Sequence, residues 1–212
     1  GNGRWAKRKK IPKRIGHEKG IKNCINICQN LHKIKYQVNQ ISFYVFSTEN
    51  WNRKAIEVKN LFKLIEDYYL EFENVANTNN LIIRHCGSRK RLSKKQLQII
   101  DDVTNKTKNN TGTSINLMFN YGSRQEINDA IQKLDGKKTN INDFRKYFYI
   151  NNLPDPDLII RTGGEQRLSN FMLWQSAYSE LYFTKSLWPD FKYRNLLKAM
   201  DSYFERNRKY GK

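Results

Sequence analysis

Residues 41–53 read ISFYVF followed at once by STENWNR, so a β-branched and aromatic run passes directly into polar side chains. Such a run predicts a buried strand. Two other short apolar runs, 114–119 and 158–160, pass in the same way into NYGSR at 120–124 and RTGG at 161–164. Because ligands of parallel sheets bind beyond the carboxyl ends of the strands, we expect these three polar clusters to share one rim.

Helical periodicity separates the predicted strands. Apolar residues at helical spacing predict helices over 21–31, 58–75, 92–107, 124–134, 142–150 and 191–209, and further short apolar runs predict strands at 81–86 and 181–183. Strands that alternate with helices of this length indicate an α/β fold with a mainly parallel central sheet flanked by helices. Because no linker or internal repeat interrupts the 212 residues, we predict a single domain.

The composition excludes several classes of protein and leaves the meaning of the charge open. Aromatic residues make up 13% of the chain, which is untypical of a disordered tail. No apolar run reaches the ~18–20 residues of a membrane helix. Three cysteines and no hydrophobic opening segment favour a reducing, cytoplasmic location over a disulfide framework.

The net charge of +19 has several explanations. The abundance of Lys, Asn and Ile is typical of AT-rich coding, which inflates Lys without any selected partner. The alternative partners are nucleic acid, an acidic membrane or a phosphorylated substrate. A nucleic-acid-binding protein would spread its basic residues along an exposed face, whereas a phosphate site would bring a few arginines into one cleft.

Residues 161–171, RTGGEQRLSNF, carry the strongest signal for such a site. Guanidinium groups match the oxygens of a diphosphate, and a diglycine turn lets the backbone approach closely. The opening GNGRW at 1–5, with Lys13 and His17 downstream, indicates a second phosphate pocket. A plain turn and a solvated helix face are the alternative explanations of this second segment.

Cys24, Cys28 and His32 fall at i, i+4 and i+8, on one face of a predicted helix. This spacing superficially suggests zinc, although no fourth ligand follows from it. Both cysteines also lie on the apolar stripe of the helix, so we favour small buried side chains.

Together these segments resemble the cis-prenyltransferase family, of the undecaprenyl diphosphate synthase type. The motifs appear in family order at 1–5 with Gly16-His17, and at 46–53, 120–122, 161–165, 167–171, 180–183, 188–190 and 206–211. The resemblance implies that farnesyl diphosphate is extended by isopentenyl diphosphate units, each leaving a cis double bond. The product would be a long-chain (undecaprenyl) diphosphate, a precursor of the lipid carrier for cell-wall polysaccharide.

The resemblance also implies further properties. It implies Mg²⁺ as cofactor, an apolar tunnel for the growing chain lined by the helix 58–75, a homodimer, and transient contact with a membrane surface. It implies no nucleic-acid partner.

The family's residue roles carry over to matching positions of this chain. The allylic diphosphate would be bound by Gly1, Asn2, Gly3, Arg4, Trp5, Lys13 and His17. The isopentenyl diphosphate would be bound by Arg53, Arg161, Arg167, Leu168 and Ser169, and Glu180 would hold the metal. Asn50 matches the residue of the proton-removal step, with Ser47, Thr48 and Glu49 beside it and Trp51 next to the primer. Because an amide is not a useful base, we expect Asn50 to position the proton acceptor, either diphosphate or water.

The chain departs from the family pattern at three places. The family's catalytic Asp stands immediately before the GNGRW run, on an apolar first strand, and these residues begin at Gly1. We therefore interpret residues 1–212 as a catalytic domain without that strand, and expect the chain as it stands to be weakly active or inactive. A truncated enzyme is our preferred explanation, and a non-catalytic partner subunit is the alternative. In addition, Lys13 replaces an Arg and Ser123 replaces a Gly.

Overall fold

The computed structural model describes residues 1–151 and 153–206 of the chain. Its helices are α1 (Asn2–Arg8), α2 (Lys13–Gln29), α3 (Ala55–Thr78), α4 (Lys94–Thr107), α5 (Ser123–Leu134), α6 (Ile141–Phe144) and α7 (Tyr193–Phe204). Short 3-10 helices lie at Leu31–Lys33, Thr48–Asn52, Arg145–Tyr147 and Trp188–Asp190. Helices therefore follow or precede most strands, as the predicted α/β class requires.

The strands are β1 (Gln40–Ser47), β2 (Ile82–Cys86), β3 (Ser114–Tyr121), β4 (Leu158–Arg161) and β5 (Glu180–Phe183). All described strand pairs are parallel, which confirms the predicted sheet type. The order β1-β3-β2 forms one sheet, with β3 in the centre, and β4 pairs with β5 in a second. The expected central sheet is thus present in two parts.

β1 and β4 border the same cavity between the two sheets. Successive side chains of a strand point to opposite faces, yet every residue of β1 and of β4 lines this cavity. The edges of the two strands, rather than their faces, therefore bound it.

The main core lies between the three-stranded sheet and helices α2 and α3. Ile25 and Cys28 of α2 pack with Ala76 of α3 and with Ile83 and Ile115 of the sheet, and each of them is at most 2% exposed. Burial of each large aliphatic side chain stabilises the fold by about 1.5–3 kcal/mol. This packing fixes both helices against the sheet.

The apolar stripe of α3 contributes both to the core and to the wall of the cavity. Val75 and Ala76 near its carboxyl end belong to the core. Leu61, Ile65 and Phe72 line the cavity instead. The helix predicted over 58–75 is therefore confirmed, with bounds a few residues wider, and part of its stripe remains open to the cavity.

Four predicted helices differ from the structure. The helix expected over 21–31 spans Lys13–Gln29 as α2, and Leu31 lies in the 3-10 helix that follows. The helix expected over 142–150 is a single turn, α6, followed by the 3-10 helix Arg145–Tyr147. The last helix ends at Phe204 rather than at 209, and residues 207–212 lie outside the described part of the chain. The helix predicted from residue 92 begins at Lys94, because Ser93 caps it: Ser93 Oγ accepts from the Gln96 amide at 3.3 Å. Within the described residues, no helix is both long and apolar enough to cross a membrane.

Candidate active site

The cavity between the sheets has a volume of about 1390 Å³ and a polar end. Most of the predicted site residues line it: Gly1, Asn2, Gly3, Lys13, His17, Ser47, Glu49, Asn50, Arg53, Arg161, Arg167, Leu168 and Ser169. They come from the start of α1, from α2, and from the segments that follow β1 and β4. The rule that ligands bind beyond the carboxyl ends of parallel strands therefore agrees with where these residues meet.

The first cationic group of this end is the Glu57 cluster, formed by Lys13, His17, Arg53 and Glu57. Lys13 Nζ and Arg53 Nη1 each donate to the Glu57 carboxylate at 2.8 Å. Burial raises the pKa of Glu57, but these two hydrogen bonds outweigh it and hold the pKa below its ordinary value. The carboxylate thus stays ionised and fixes two cations at the mouth of the cavity.

The second cationic group is the Glu165 cluster, formed by Arg4, Arg161, Arg167 and Glu165. Arg4 Nη1 donates to Glu165 Oε1 at 3.0 Å, and Arg167 Nη1 donates to the other oxygen, Oε2. The pKa of Arg161 is lowered by burial first, and then by repulsion from Arg167. Three guanidinium groups therefore lie close enough to repel one another, an arrangement that a bound anion would relieve.

The diglycine turn places the Glu165 cluster against β4. Gly163 and Gly164 have φ values of +89° and +77°, in the left-handed region that favours glycine. Arg4 Nη1 donates to the Gly163 carbonyl at 2.8 Å, and a Cβ at Gly163 would lie only 2.7 Å from Arg4 Nη2. Gly163 thereby permits the close approach of α1 to the segment after β4.

Three buried polar atoms at this end of the cavity have no hydrogen-bond partner: Asn2 Oδ1, His17 Nε2 and Arg161 Nε. A buried polar atom without a partner costs about 1–3 kcal/mol. All three residues line the cavity. Of the three, His17 Nε2 and Arg161 Nε can donate to an anionic ligand, whereas Asn2 Oδ1 is an acceptor and cannot.

His17 is neutral in this arrangement. Burial first, and then the positive charge of Arg53, lower its pKa from 6.5 to about 4. The nearest carboxylate oxygen, Glu57 Oε1, lies 3.9 Å from His17 Nε2, too far for a hydrogen bond. At neutral pH His17 thus offers the cavity a hydrogen-bonding group without a charge.

Asn50 lies in the 3-10 helix that follows β1, and its orientation is fixed. Its side-chain oxygen accepts a hydrogen bond from the Ser47 amide at 3.2 Å. The Nδ2 group is not used in this hydrogen bond, and Asn50 is one of the residues that line the cavity. This arrangement suits a residue that orients a neighbouring group rather than one that takes a proton.

Five predicted site residues do not line the cavity: Arg4, Trp5, Thr48, Trp51 and Glu180. Arg4 is connected to the site by its ion pair with Glu165. Trp5 Nε1 donates to Asp190 Oδ1 at 2.8 Å and so ties α1 to the 3-10 helix before α7. Thr48 sits beside Glu49, to whose Oε2 its hydroxyl donates at 3.3 Å.

Trp51 packs beneath the site and is held from two sides. Its Nε1 donates to Asn120 Oδ1 at 2.7 Å, and the Arg91 guanidinium stacks 4.3 Å from its ring centre. The ring also contacts Phe46 and Phe62 of the aromatic core below. Trp51 therefore supports the segment after β1.

The residues described here do not by themselves fit Mg²⁺. Glu180 starts β5, and its carboxylate is paired with the Arg206 guanidinium. Among the described residues, no group of three His, Cys, Asp or Glu side chains could hold a metal ion. A magnesium site normally uses one or two carboxylates with substrate phosphates, so a single, already paired carboxylate is a poor site.

The zinc interpretation of Cys24, Cys28 and His32 is not supported. Helix α2 ends at Gln29, so His32 lies in the following 3-10 helix and not on the same helical face. Cys28 packs in the main core, and both cysteines are free thiols. The preferred interpretation of small buried side chains holds for Cys28, whereas Cys24 is only partly buried and lines the cavity.

Sequence reasoning did not assign a role to Glu57. Its carboxylate contributes to the site because it forms ion pairs with both Lys13 and Arg53. Its position four residues after Arg53 is the spacing of an ion pair on one helical face, and this signal was available. Glu165 stands inside the RTGGE motif, but its pairing with the distant Arg4 depends on the fold.

The fold and the site together define a class of protein: an α/β enzyme whose cavity combines an apolar body with a cationic end suited to diphosphates. The comparisons with known proteins agree. A family model described as "Putative undecaprenyl diphosphate synthase" matches residues 1–211. The chain is 44% identical to an isoprenyl transferase of Fusobacterium nucleatum, covering 100% of this chain and 92% of that protein. It is 41% identical to an isoprenyl transferase of Clostridium tetani, covering 100% and 86% respectively.

Two solved structures are also similar. Lavandulyl diphosphate synthase from Lavandula x intermedia, in complex with dimethylallyl diphosphate, has a TM-score of 0.92 and 30% identity, with 100% of this chain and 94% of that chain covered. A "probable undecaprenyl diphosphate synthase" from Campylobacter jejuni has a TM-score of 0.79 and 31% identity, with 92% of each chain covered. The chain belongs to the undecaprenyl diphosphate synthase family, the cis-prenyl chain-elongating transferases.

Proposed function

We propose that this protein condenses isopentenyl diphosphate units onto farnesyl diphosphate, with a new cis double bond at each addition and a long-chain polyprenyl diphosphate as product. The observation that carries this proposal is the polar end of the cavity, where two buried donors, His17 Nε2 and Arg161 Nε, lack partners beside two groups of cations. Family membership supports the same reaction.

The allylic diphosphate is assigned to the Glu57 cluster and the start of α1. His17 Nε2 is the unsatisfied donor there. Lys13 supplies the charge, and the neutral His17 supplies a hydrogen bond. Arg14, the neighbour of Lys13, is exposed and is not among the residues that line the cavity, so Lys13 serves this site.

The isopentenyl diphosphate is assigned to Arg161, Arg167 and Ser169, with Arg53 between the two subsites. Hydrogen bonds between guanidinium groups and phosphate oxygens are charge-assisted and therefore stronger than neutral ones. Glu165 holds Arg167 in place until the substrate arrives. The two diphosphates would then lie at the same end of the cavity, with both hydrocarbon groups toward its apolar body.

The reaction breaks the allylic C–O bond and forms a C–C bond to the isopentenyl unit, which then loses a proton to form the new double bond. Negative charge develops on the departing diphosphate, and fixed cations stabilise it. Asn50 orients the acceptor of the proton, a diphosphate oxygen or water. The growing chain extends along Leu61, Ile65 and Phe72 of α3, which is the proposed tunnel wall.

Mg²⁺ when bound to a substrate diphosphate would offset its charge during C–O cleavage. The described residues do not by themselves form a site for this ion. We propose instead that an apolar strand ending in Asp completes the domain between β1 and β4, whose edges face one cavity.

The completing strand is tested by fusing an apolar strand of the length of β1, ending in Asp, directly before Gly1. A matched fusion ending in Asn keeps the strand and removes the carboxylate. We expect chain elongation with the Asp fusion only, and a higher unfolding midpoint with both fusions. Elongation by neither fusion, with both proteins folded, would refute the proposal.

We also propose a cytoplasmic location with a peripheral membrane contact, and two surface features support the contact. Residues 7–14 carry six exposed cations and no acidic residue. Ile15 and Ile56 are 37% and 63% exposed, and Lys13 and Glu57, next to Arg14 and Ile56, join their two helices. Binding to vesicles that contain phosphatidylglycerol, but not to neutral vesicles, tests this contact; equal binding to both would refute it.

A homodimer is proposed because the second sheet leaves apolar side chains exposed. Leu181 and Phe183 of β5 are 36% and 37% exposed, and β5 is an edge strand of the described sheet. Light scattering after size-exclusion chromatography measures the mass directly. A mass of one chain at all concentrations would refute the dimer.

The function itself is tested by incubating the Asp fusion with farnesyl diphosphate, labelled isopentenyl diphosphate and Mg²⁺. Chain-extended, label-containing lipid is the expected product. Failure to form any extended product with folded protein would refute the proposed reaction.

A further inference from the structure

Asn170 joins the segments that follow β1, β3 and β4, of which the first and the last line the cavity. It follows Ser169 in the loop after β4, and its carbonyl oxygen accepts from the Ser123 amide at 2.9 Å. Its side-chain oxygen accepts from the Arg124 amide at 2.9 Å, at the start of α5. Its Nδ2 donates to Glu49 Oε1 at 2.6 Å, in the segment after β1. One residue thus ties together the polar clusters that follow β1, β3 and β4.

The backbone at this junction is held in a costly conformation. Ser169, Asn170 and Met172 have φ values of +51°, +63° and +46°, in the left-handed region that non-glycine residues seldom adopt. Asparagine tolerates this region better than most residues. Such conformations persist only where the surroundings enforce them, and they concentrate at functional sites.

Gly122 shows how tightly the loops meet. A Cβ at this position would lie 2.4 Å from Thr48 Oγ1 and 2.8 Å from Asn170 Nδ2. The segments after β1 and β4 therefore both press against the backbone at the end of β3. Ser123 adds a second connection, since its hydroxyl accepts from the Leu173 amide at 3.0 Å.

We propose that Asn170 is a positioning residue for the isopentenyl diphosphate half of the site, which holds Ser169 and Arg167 in a fixed relation to Glu49 and Asn50. The proposal rests on the proposed function and deepens it. Asn170 lines the cavity, but its side-chain oxygen and Nδ2 are bonded to the Arg124 amide and to Glu49, so we assign it a positioning role.

Asn170→Asp is the most direct test, because it keeps the size, the acceptor toward Arg124 and the tolerance of positive φ. It replaces the donor toward Glu49 by a second carboxylate. Two carboxylates this close cannot both ionise freely, so the pair retains a proton to a raised pKa. Below that pKa the protonated carboxyl group introduced at position 170 donates to Glu49 and restores the lost hydrogen bond.

The measurement is the affinity for isopentenyl diphosphate by calorimetry between about pH 6 and pH 8.5, with thermal unfolding in parallel. We expect N170D to bind about tenfold more weakly than the wild type at the high end and to recover most of the affinity at the low end, as a loss of about 1.4 kcal/mol implies. The matched control N128D places the same charge on the exposed face of α5 and should leave the pH profile unchanged.

A double variant separates the contact from the charge. With Glu49→Gln added to Asn170→Asp, the hydrogen bond re-forms with donor and acceptor exchanged. We expect the double variant at high pH to bind nearly as well as E49Q alone, which a double-mutant cycle measures as coupling.

The outcomes are distinct. If the Asp fusion without further substitutions does not bind isopentenyl diphosphate at all, the proposed function fails, and the inference fails with it. If that protein binds and N170D in the same fusion matches it at every pH, or is weakened equally at every pH, the positioning role of Asn170 alone is refuted.

Discussion

His85 and His17 both line the cavity, and burial lowers the pKa of each from 6.5 to about 4. Their surroundings differ in one respect. His85 Nε2 donates to the Phe119 carbonyl at 3.0 Å, whereas His17 Nε2 is buried without a partner. His85 Nε2 therefore has its hydrogen-bond partner within the folded chain, whereas His17 Nε2 gains a partner only when a ligand binds. An unsatisfied buried group of this kind indicates where binding occurs better than a shifted pKa does.

Acid should destabilise the protein through both histidines, and this is the largest effect we expect. The folded-state pKa of about 4 lies below the ordinary 6.5, so the unfolded chain takes up the protons first. Stability is therefore full above pH 6.5 and is lost as the pH falls toward 4, by up to about 1.4 kcal/mol per pH unit for each histidine.

Denaturant unfolding at a series of pH values measures this loss. His17→Gln and His85→Gln should each flatten the profile in that window, by similar amounts. A profile as steep in both variants as in the wild type would show that neither histidine is buried in the neutral form.

Arg161→Ala should raise the KM for isopentenyl diphosphate at least tenfold in the elongation-competent protein, because it removes about 1.5–3 kcal/mol of charge-assisted hydrogen bonding. Arg194→Ala, on the exposed side of α7, is the matched control and should leave the KM unchanged. An unchanged KM for Arg161→Ala would remove this residue from the site.

Binding separates the two histidines where acid stability does not. His17→Leu should weaken binding of farnesyl diphosphate about fivefold, because leucine cannot replace a hydrogen bond of about 1 kcal/mol from His17 Nε2. His85→Gln should leave the affinity unchanged, because its ring nitrogen already serves the Phe119 carbonyl. Equal losses of affinity in both variants would show that the two histidines do not differ in ligand binding.

Glu57→Gln should have the smallest effect. It leaves Lys13 and Arg53 without their shared counterion, and partly exposed ion pairs contribute about 0.2–1 kcal/mol. We expect the unfolding midpoint to fall by roughly 1–4 °C at low salt. The difference should shrink at high salt, where the repulsion between the two cations is screened. A salt-independent difference would point to packing instead.

Much of the site follows from local sequence. Ser47, Asn50, Arg53 and Arg161 could be located from the sequence because a strand end fixes where the next polar residues go, and the edge of a parallel sheet brings such ends together. The long helix α3 was equally predictable from its apolar stripe.

The remaining features depend on contacts between distant segments. The partners of Trp5 and Trp51, Asp190 and Asn120, lie 185 and 69 residues away in the chain. The strands divide into two sheets because β1 and β2 pair with β3, whereas β4 pairs with β5. A single turn, α6, takes the place of the helix predicted over 142–150. The apolar residues of this segment include Phe144 and Phe148, whose rings pack against Trp174 in a distant part of the chain.

The most direct test of a diphosphate site at this end of the cavity is titration of the two histidines by nitrogen-15 NMR, with and without farnesyl thiodiphosphate. We expect the ligand to shift the His17 Nε2 resonance and to raise the pKa of His17 from about 4, because an anion then faces the ring, while the pKa of His85 stays where it was. An unmoved His17 in ligand-saturated protein, or a shift confined to His85, would contradict a diphosphate site at this end of the cavity.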